Sequence, residues 1–594
     1  MAATGAPLLA GLGSKARAGP ARGRRVRPGD SAWPPQAAWD GLKAQVVGNL
    51  VKPASLLAPC EADAKSVECR SLLKSLQNPF FIGDQPSGTQ VSGYLDAWTP
   101  APSAYVAAAH SAADVAAAVS FARRHNLRLV VKGGGHSYLG TSNAPDSLLI
   151  WTRPMRGVTV LDAFRPKGAP RDQAAVPAVT AEAGALWIDL YDAVTTKAGR
   201  YVQGGGCTTV GVAGHVQSGG FGSFSKRFGT SSAHLLEAEV VTADGVIRTA
   251  NAHLNPDLFW ALKGGGGGSL GVITRVTLRT HDLPARFGGA GGAIKARSDD
   301  AFRRLVARFL EVYAASLFNE HWGEQASIRP ENVLRISMVF QGLEDAAAEA
   351  AWRPFLDWVK ASPADFTFVE PFESGGGEAR GQWDVAARRA RGSKSMRYDN
   401  RPEAPPIQGW WSGDQDQVSA FLHGYESIWL PAALLEAPAR DRLAETLVAA
   451  SRSMAVDLHF NKGLAGAPPE IIAAARDTAM NPDALGAFAL AIIATGGPPP
   501  FMSLVGMKPD LDFAHRNAVR VSIAAANLRR LAPTAGSYLS ESNYFNDDWR
   551  RAYWGTNYPR LAGVKAKYDL DGLFFVHHGV GSDAWSADGF ERVG

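Results

Sequence analysis

Between residues 111 and 126 the sequence SAADVAAAVSFARRHN places apolar side chains at 115, 118, 119 and 122. That is the spacing of a helix that buries one face. Ser111, with Asp114 three residues later, predicts a capping box that starts the helix there. The pattern then changes period. LRLVV (127–131) is a run of leucine and β-branched residues, Gly133 to Gly135 interrupt it, and LLIWT (148–152) resumes strand-type sequence. Helix, strand, glycine turn and second strand predict an α+β unit with a loop of exposed backbone at its edge.

The next segment, TVGVAGHVQSGGFGSFSKRFG (209–229), reads as too glycine-rich for a helix and too long for a simple turn. Such backbone is expected to pass close to something flat or charged. LLEAEVVTADGVIRTAN predicts a β-hairpin turning at Asp244-Gly245. LFWALKGGGGGSLGVITRVTLRT then predicts a short helix, a glycine run and a strand. Residues 266–271 match the G-x-G-x-x-G string, but they follow a helix and precede a strand, which excludes the nicotinamide-type dinucleotide fold.

From about residue 283 the texture changes. Ala/Arg-rich helical blocks (AFRRLVARFLEVYAA, EIIAAARDTAM, NAVRVSIAAANLRRLA) alternate with strand-like VLRISMVFQG and MAVDLHFNKG. This predicts a second α+β domain in which helices cover one face of an antiparallel sheet. The expected division is a disordered basic leader at 1–28, a first domain at 29–282, a second at 283–534, and a segment at 535–594 that returns to the first. No repeat of solenoid period is evident.

Length and composition fit this division. A chain of 594 residues, 46% hydrophobic and 20% charged, requires at least two cores. No window approaches 18 uninterrupted apolar residues, so no helix is expected to cross a membrane. The net charge of +5 owes much to Lys15, Arg17, Arg22, Arg24, Arg25 and Arg27. These lack interleaved aromatics and read as a flexible tail rather than a nucleic-acid surface. The expected partner is a small molecule, not nucleic acid or membrane. The first residues make a poor signal peptide, because the positive stretch follows the apolar one. Export therefore stays open: it needs a leader that precedes or includes these residues, and without one the protein is cytoplasmic. Cys60 and Cys69 are close enough for a disulfide, which would fit an oxidising compartment, or they are two free thiols.

The chemistry concentrates in the glycine loops. A glycine turn makes a backbone nest for anionic oxygens, and His136 sits at the tip of KGGGHSYLG. His136, His215, His577 and His578 show no metal-ligand spacing, so no metal is expected. Cys207, in GGGCTTVGVAGH, lies where a loop offers little apolar core, which favours thiol chemistry.

Taken as a set, RLVVKGGGHSYLG, GGGCTTVGVAGHVQSGGFG, LFWALKGGGGGSLGVIT and YWGTNYPRLAGVKAKYDLDGLFF resemble the berberine-bridge-enzyme-like FAD-linked oxidases of the vanillyl-alcohol oxidase/PCMH superfamily, over nearly all of residues 75–594. The resemblance implies an α+β fold with a two-subdomain PCMH-type FAD-binding domain and a substrate domain. It implies FAD held by two covalent bonds, from His136 to the flavin 8α carbon and from Cys207 to flavin C6. Gly133, Gly134, Gly135 and Ser137 would cradle the diphosphate. Gly211, Gly214, Gly219, Gly220 and Gly222 would let the second loop lie along the flavin, with Val272 nearby. His215 matches a histidine that hydrogen-bonds the flavin. Val210 matches the position that decides oxygen access, and valine there resembles the oxidases. The catalytic base corresponds to Tyr538, with Glu541 and Tyr544 as neighbouring candidates; Ser540 stands where the family usually has Asn. Trp410, Trp411, His459 and Asn461 are expected on the substrate wall. The implied reaction is oxidation of a hydroxyl-bearing substrate with molecular oxygen as acceptor and peroxide as product. A dehydrogenase using a quinone or carrier, and an oxidative cyclase of an amine, are the alternatives.

Overall fold

The computed structural model describes residues 23–593 except 48, 502, 503, 505 and 506. The first sheet holds β1 (Leu50–Val51), β2 (Tyr105–Ala108), β3 (Arg128–Lys132) and β4 (Ser147–Trp151), in the order β1-β2-β4-β3. β2 and β3 run parallel to β4. Parallel neighbours need a crossover, and helix α1 (Ala112–His125) supplies it between β2 and β3. Its start is the expected capping box: Ser111 Oγ accepts from the Asp114 amide while Asp114 accepts from the Ser111 amide. Its end is Asn126 in the left-handed conformation.

The second sheet is antiparallel, with β5 (Val158–Phe164), β6 (Val176–Glu182), β7 (Leu235–Val241), β8 (Ile247–Asn251) and β9 (Val272–Arg279) in the order β5-β6-β9-β7-β8. β7 and β8 form the hairpin turned at Asp244-Gly245, where Gly245 has φ +80°. The segment expected to be wholly irregular instead contains the helices Val212–Gln217 and Ser225–Phe228. Buried Val212 and Val216, four residues apart, pack into the first core and outweigh the propensity cost of Gly214.

The third sheet has seven antiparallel strands: β10 (Arg286–Ala296), β11 (Trp322–Arg329), β12 (Val333–Gln341), β13 (Phe366–Glu378), β14 (Phe421–Pro431), β15 (Val456–His459) and β16 (Ala487–Gly497). Their order is β13-β10-β12-β11-β15-β16-β14. The helices α2 (Asp299–Val312), α3 (Asp345–Lys360), α4 (Ala439–Ser451) and α5 (Leu511–Leu531) share one core with one face of this sheet. Alternation of side chains along the strands does the sorting. Leu334, Ile336, Met338 and Phe340 of β12 enter that core, while Ser337 and Val339 point to the opposite face. The α+β architecture follows the expectation, with helices on one face of an antiparallel sheet.

Residues 549–593 lie against the first two sheets. Trp554 Nε1 donates to Gly264 O at 3.0 Å, Lys565 Nζ donates to Ser269 O at 2.6 Å and Phe574 O at 2.7 Å, and Arg128 donates to Phe575 O at 3.0 Å. Residues 23–28, expected within a disordered leader, are instead packed there. Arg25 is buried, donates to Gly572 O at 2.5 Å and covers the Trp585 ring. Arg27 pairs with Asp146 and Asp588. The guanidinium stems and rings supply apolar contact that a count of charges does not register. Lys15, Arg17 and Arg22 lie outside the described residues, as does the apolar start of the chain. Cys60 and Cys69 form a disulfide. Among the described residues no helix is long and apolar enough to cross a membrane.

Candidate functional site

A cavity of about 1070 Å³ lies between the glycine loops of the first two sheets and the free face of the third. Its volume is at the upper end of single-ligand sites, roughly 300–1,000 Å³. One wall is backbone: Gly133–Ser137 after β3, the 204–215 loop, and Gly266–Ser269 before β9. The opposite wall comes from alternate positions of the third sheet, including Gln325, Ser337, Asp457, His459 and Ile492. The first two loops touch through glycine: a Cβ on Gly134 would stand 3.0 Å from the Gly211 amide nitrogen and 3.1 Å from Thr209 O. Any side chain at 134 would separate the loops.

That contact brings His136 and Cys207 together. Both line a smaller pocket with Thr209, Tyr138, Trp410 and Asp414, and both also line the large cavity. His136 Nε2 lies 3.0 Å from Thr209 Oγ1. Burial pulls the His136 pKa down to about 4, so its ring is neutral at ordinary pH. With Nε2 against Thr209, Nδ1 is the nitrogen available for bonding. The Cys207 thiol is pushed well up, first by burial and then by the charge of Asp414. Asp414 in turn is pushed up to about 6, chiefly by burial.

The far wall carries several ionisable groups. Tyr538 lines the cavity, packed edge-on against Phe221 at 5.4 Å, and burial raises its pKa above the ordinary tyrosine range. Glu541 is there too, but both its oxygens accept from Lys462 Nζ, at 2.7 and 2.6 Å. Glu324, at φ +64° on β11, accepts from Ser223 Oγ. Burial holds its pKa above the usual carboxylate range, while Ser223 and Lys462 oppose the shift. His459 and Asn461 are on the same wall, and Trp411 donates from Nε1 to Gly206 O at 3.1 Å.

Several expected positions fall elsewhere. Tyr544 is not on the cavity wall; its ring stacks on that of His577 at 3.7 Å. Trp410 lines the smaller pocket rather than the main cavity. Gly219, Gly220, Gly222 and Val272 also lie off the wall. A Cβ on Gly219 would meet Met480 Sδ at 2.6 Å, one on Gly220 would meet Ser231 Oγ at 1.9 Å, and one on Gly222 would meet Gly204 O at 1.8 Å. These glycines admit neighbouring protein, not ligand. Val272 is buried in the core of the first sheet. His215 does line the cavity, but both its nitrogens are engaged: Nε2 donates to Phe221 O at 3.1 Å, so Nδ1 accepts from Ser231 Oγ at 3.1 Å. No nitrogen is left for a flavin hydrogen bond.

Glu324, Lys462, Asp414, Ser223 and Tyr138 are also on the wall, unanticipated from the sequence. Lys462 and Tyr138 adjoin residues that were singled out, which was the available signal. Glu324 and Asp414 carried none, because they reach the site through sheet register and a turn.

The residues present fit an FAD. Besides the glycine backbone, the cavity exposes Gln217 Oε1, Ser269 Oγ and Asn461 Oδ1, each buried without a hydrogen-bond partner. Buried polar atoms of this kind call for a ligand or water. Comparison with known proteins agrees. Residues 102–251 match the "FAD binding domain" family and residues 514–581 match "Berberine and berberine like". The chain is 31% identical to the FAD-linked oxidoreductase malF of Malbranchea aurantiaca, covering 95% of this chain and 93% of malF. Its fold is similar to the VAO-type flavoprotein MtVAO615 of Myceliophthora thermophila C1 (TM-score 0.77, 24% identity, 96% of this chain and 100% of that one). It is also similar in fold to a glucooligosaccharide oxidase of Acremonium strictum with 6-S-cysteinyl, 8α-N1-histidyl FAD (TM-score 0.61, 18% identity, 89% and 99%).

Proposed function

Because this chain belongs to the FAD-linked oxidoreductases of the berberine-bridge type, we propose that it is an oxidase of a hydroxyl-bearing small molecule, a sugar or an aromatic or allylic alcohol, with flavin bonded to both His136 and Cys207. When bound, FAD supplies a ring that takes a hydride from the substrate carbon and passes the electrons to molecular oxygen, giving hydrogen peroxide. The observation that carries the reading is the convergence of His136 and Cys207 on one pocket. The doubly attached flavin of the Acremonium oxidase supports it.

The chain's own groups divide the remaining work. Gly133–Gly135 present backbone to the diphosphate. Neutral His136 offers Nδ1 for bonding while Thr209 holds the other edge of its ring. Tyr538 stays protonated and orients the substrate hydroxyl. Glu324 takes the hydroxyl proton, since a buried carboxylate of raised pKa is the stronger acceptor and Glu541 is occupied by Lys462. Val210, on the wall beside the Cys207 loop, leaves room for oxygen. The Cys60–Cys69 disulfide favours an oxidising compartment and hence export.

Acid precipitation followed by rapid mixing tests this. A yellow pellet and fast reoxidation by oxygen after anaerobic reduction are expected, with slower reoxidation in Val210→Ile. A colourless pellet sinks the covalent reading, and slow reoxidation of the unaltered protein favours a quinone or carrier as acceptor. Peroxide release across sugars, alcohols and amines identifies the substrate class.

A further inference from the structure

Asp414 shares the small pocket with Cys207 and His136. Two hydrogen bonds fix this arrangement from both sides of Cys207. Thr208 Oγ1 donates to Gly409 O at 2.7 Å, and Trp411 Nε1 donates to Gly206 O at 3.1 Å. The 3-10 turn Ser412–Gln417 that bears Asp414 is pinned as well: Gln415 accepts from Trp410 Nε1 at 3.0 Å and donates to Gln77 O at 3.1 Å. Asp414 Oδ2 is buried without a hydrogen-bond partner.

A thiol must lose its proton before sulfur adds to an electron-poor ring carbon. Cysteines that ionise unaided sit beside cations or helix N-termini. Cys207 does not: burial raises its thiol pKa most, and the charged groups acting on it are Asp414, Lys462 and Glu541, two carboxylates against one ammonium. Its proton has to be taken by a base. His136 is the other candidate in the pocket, but its Nε2 is engaged by Thr209, its Nδ1 is the nitrogen given to the flavin in the two-bond reading, and burial makes the ring a weak acceptor.

Resting on the two-bond reading above, we propose that Asp414 is the general base that removes the Sγ proton of Cys207 when this cysteine becomes bonded to flavin C6. The S–H bond breaks and its proton passes to the Asp414 carboxylate. The S–C6 bond forms, the C6–H bond breaks with release of a second proton, and two electrons remain on the ring. Dioxygen takes those electrons and, with two protons, becomes hydrogen peroxide. Asp414 suits the step: burial first, and the charge of Glu324 after it, push its carboxyl up to about 6, so it is ionised at neutral pH and a better acceptor than an exposed aspartate.

The test uses the full-length chain and reads peptide mass, not turnover. Unaltered protein, Asp414→Asn and Asp414→Glu are purified in air and digested, and flavin is quantified on the His136 and Cys207 peptides over time. In Asp414→Asn the His136 peptide should carry flavin as in the unaltered protein, which also reports a folded site. Flavin on the Cys207 peptide should accumulate about 100-fold more slowly, the lower range of a general-base contribution. It should speed up as pH is raised past the ordinary thiol pKa of about 8.5. Asp414→Glu should restore most of the rate at neutral pH. Equal rates in Asp414→Asn and the unaltered protein overturn the proposal. So does loss of flavin from both peptides in Asp414→Asn, which would make Asp414 a structural support. No flavin on Cys207 in the unaltered protein overturns the two-bond reading itself, a result distinct from the other two.

Discussion

Lys462 Nζ lies 2.7 Å and 2.6 Å from the two carboxylate oxygens of Glu541, on the wall of the cavity that Glu324 also faces. One ammonium thus pairs with Glu541 and also acts on the buried Glu324 carboxylate. Its removal leaves Glu541 unpaired and takes from Glu324 an interaction that opposes its upward shift. In Lys462→Met the acid limb of kcat/KM should therefore move to higher pH by roughly one unit or more, the usual effect of losing an adjacent opposite charge. An unchanged limb would mean that neither carboxylate handles a proton in turnover.

Thr209 Oγ1 meets His136 Nε2 at 3.0 Å, and the two-bond reading requires Nε2 to be the donor there, so that Nδ1 keeps its lone pair for the flavin. Thr209→Val keeps the shape and removes the hydroxyl. The share of protein with flavin on the His136 peptide should fall several-fold, and Thr209→Ser should restore it. Peptide mapping of the three proteins after identical expression reads this directly.

Lys226 is buried and donates to Gly463 O at 2.9 Å, Ala465 O at 2.7 Å and Phe488 O at 3.2 Å. It ties a helix of the first half of the chain to the loop that follows Asn461 and Lys462. Lys226→Met strands three acceptors, each costing about 1–3 kcal/mol. A marked drop in Tm is expected, together with a rise in KM larger than any fall in kcat, because the slackened loop carries substrate-wall residues. Flavin content should hold.

Gly220, at φ +73°, has Ser231 Oγ and His215 Nδ1 where a Cβ would go, at 1.9 and 2.6 Å. Gly220→Ala should destabilise by about 1–3 kcal/mol or more, as overpacking of a closed site does. Ser231→Gly in the same chain should recover part of the loss. If Gly220→Ala were neutral in thermal unfolding, these glycines would be free for ligand contact after all.

Burial holds the His234 pKa at about 4, against an ordinary value of 6.5. A depressed folded-state pKa gives stability that is full above about 6.5 and lost as pH falls toward 4, because the unfolded chain binds the proton first. The loss amounts to about 3 kcal/mol for 2.5 units at 1.36 kcal/mol each. Tm of the unaltered protein should fall through this window, and His234→Gln, which retains a donor for Phe228 O, should flatten the fall. Parallel curves for the two proteins would argue against this histidine.

Much of the site was legible in the sequence because it is built from local backbone signals. Glycine runs, the capping box at Ser111 and the strand LRLVV are fixed by steric freedom, short-range hydrogen bonding and period, so the loop that carries His136 could be placed from residues alone. The two proposed flavin anchors, His136 and Cys207, followed from the resemblance of their loops to the family's motifs. What the motif could not do was separate glycines that face a ligand from glycines that face protein: Gly134 and Gly211 meet at the cavity, whereas Gly219, Gly220 and Gly222 make room for Met480, Ser231 and Gly204.

The sequence by itself thus determined which loops exist, which residues could bond a flavin, and that helices cover one face of an antiparallel sheet after residue 283. The tertiary structure decided which carboxylates reach the site, that Lys462 claims Glu541, that His215 has no nitrogen to spare and that Asp414 stands against Cys207. The reason is physical. Loop conformation depends on interactions within a few residues, whereas the partner of Glu541 and the protonation of Glu324, Asp414 and Cys207 depend on burial and on charges brought close only by packing the sheets and the 412–417 turn around one cavity.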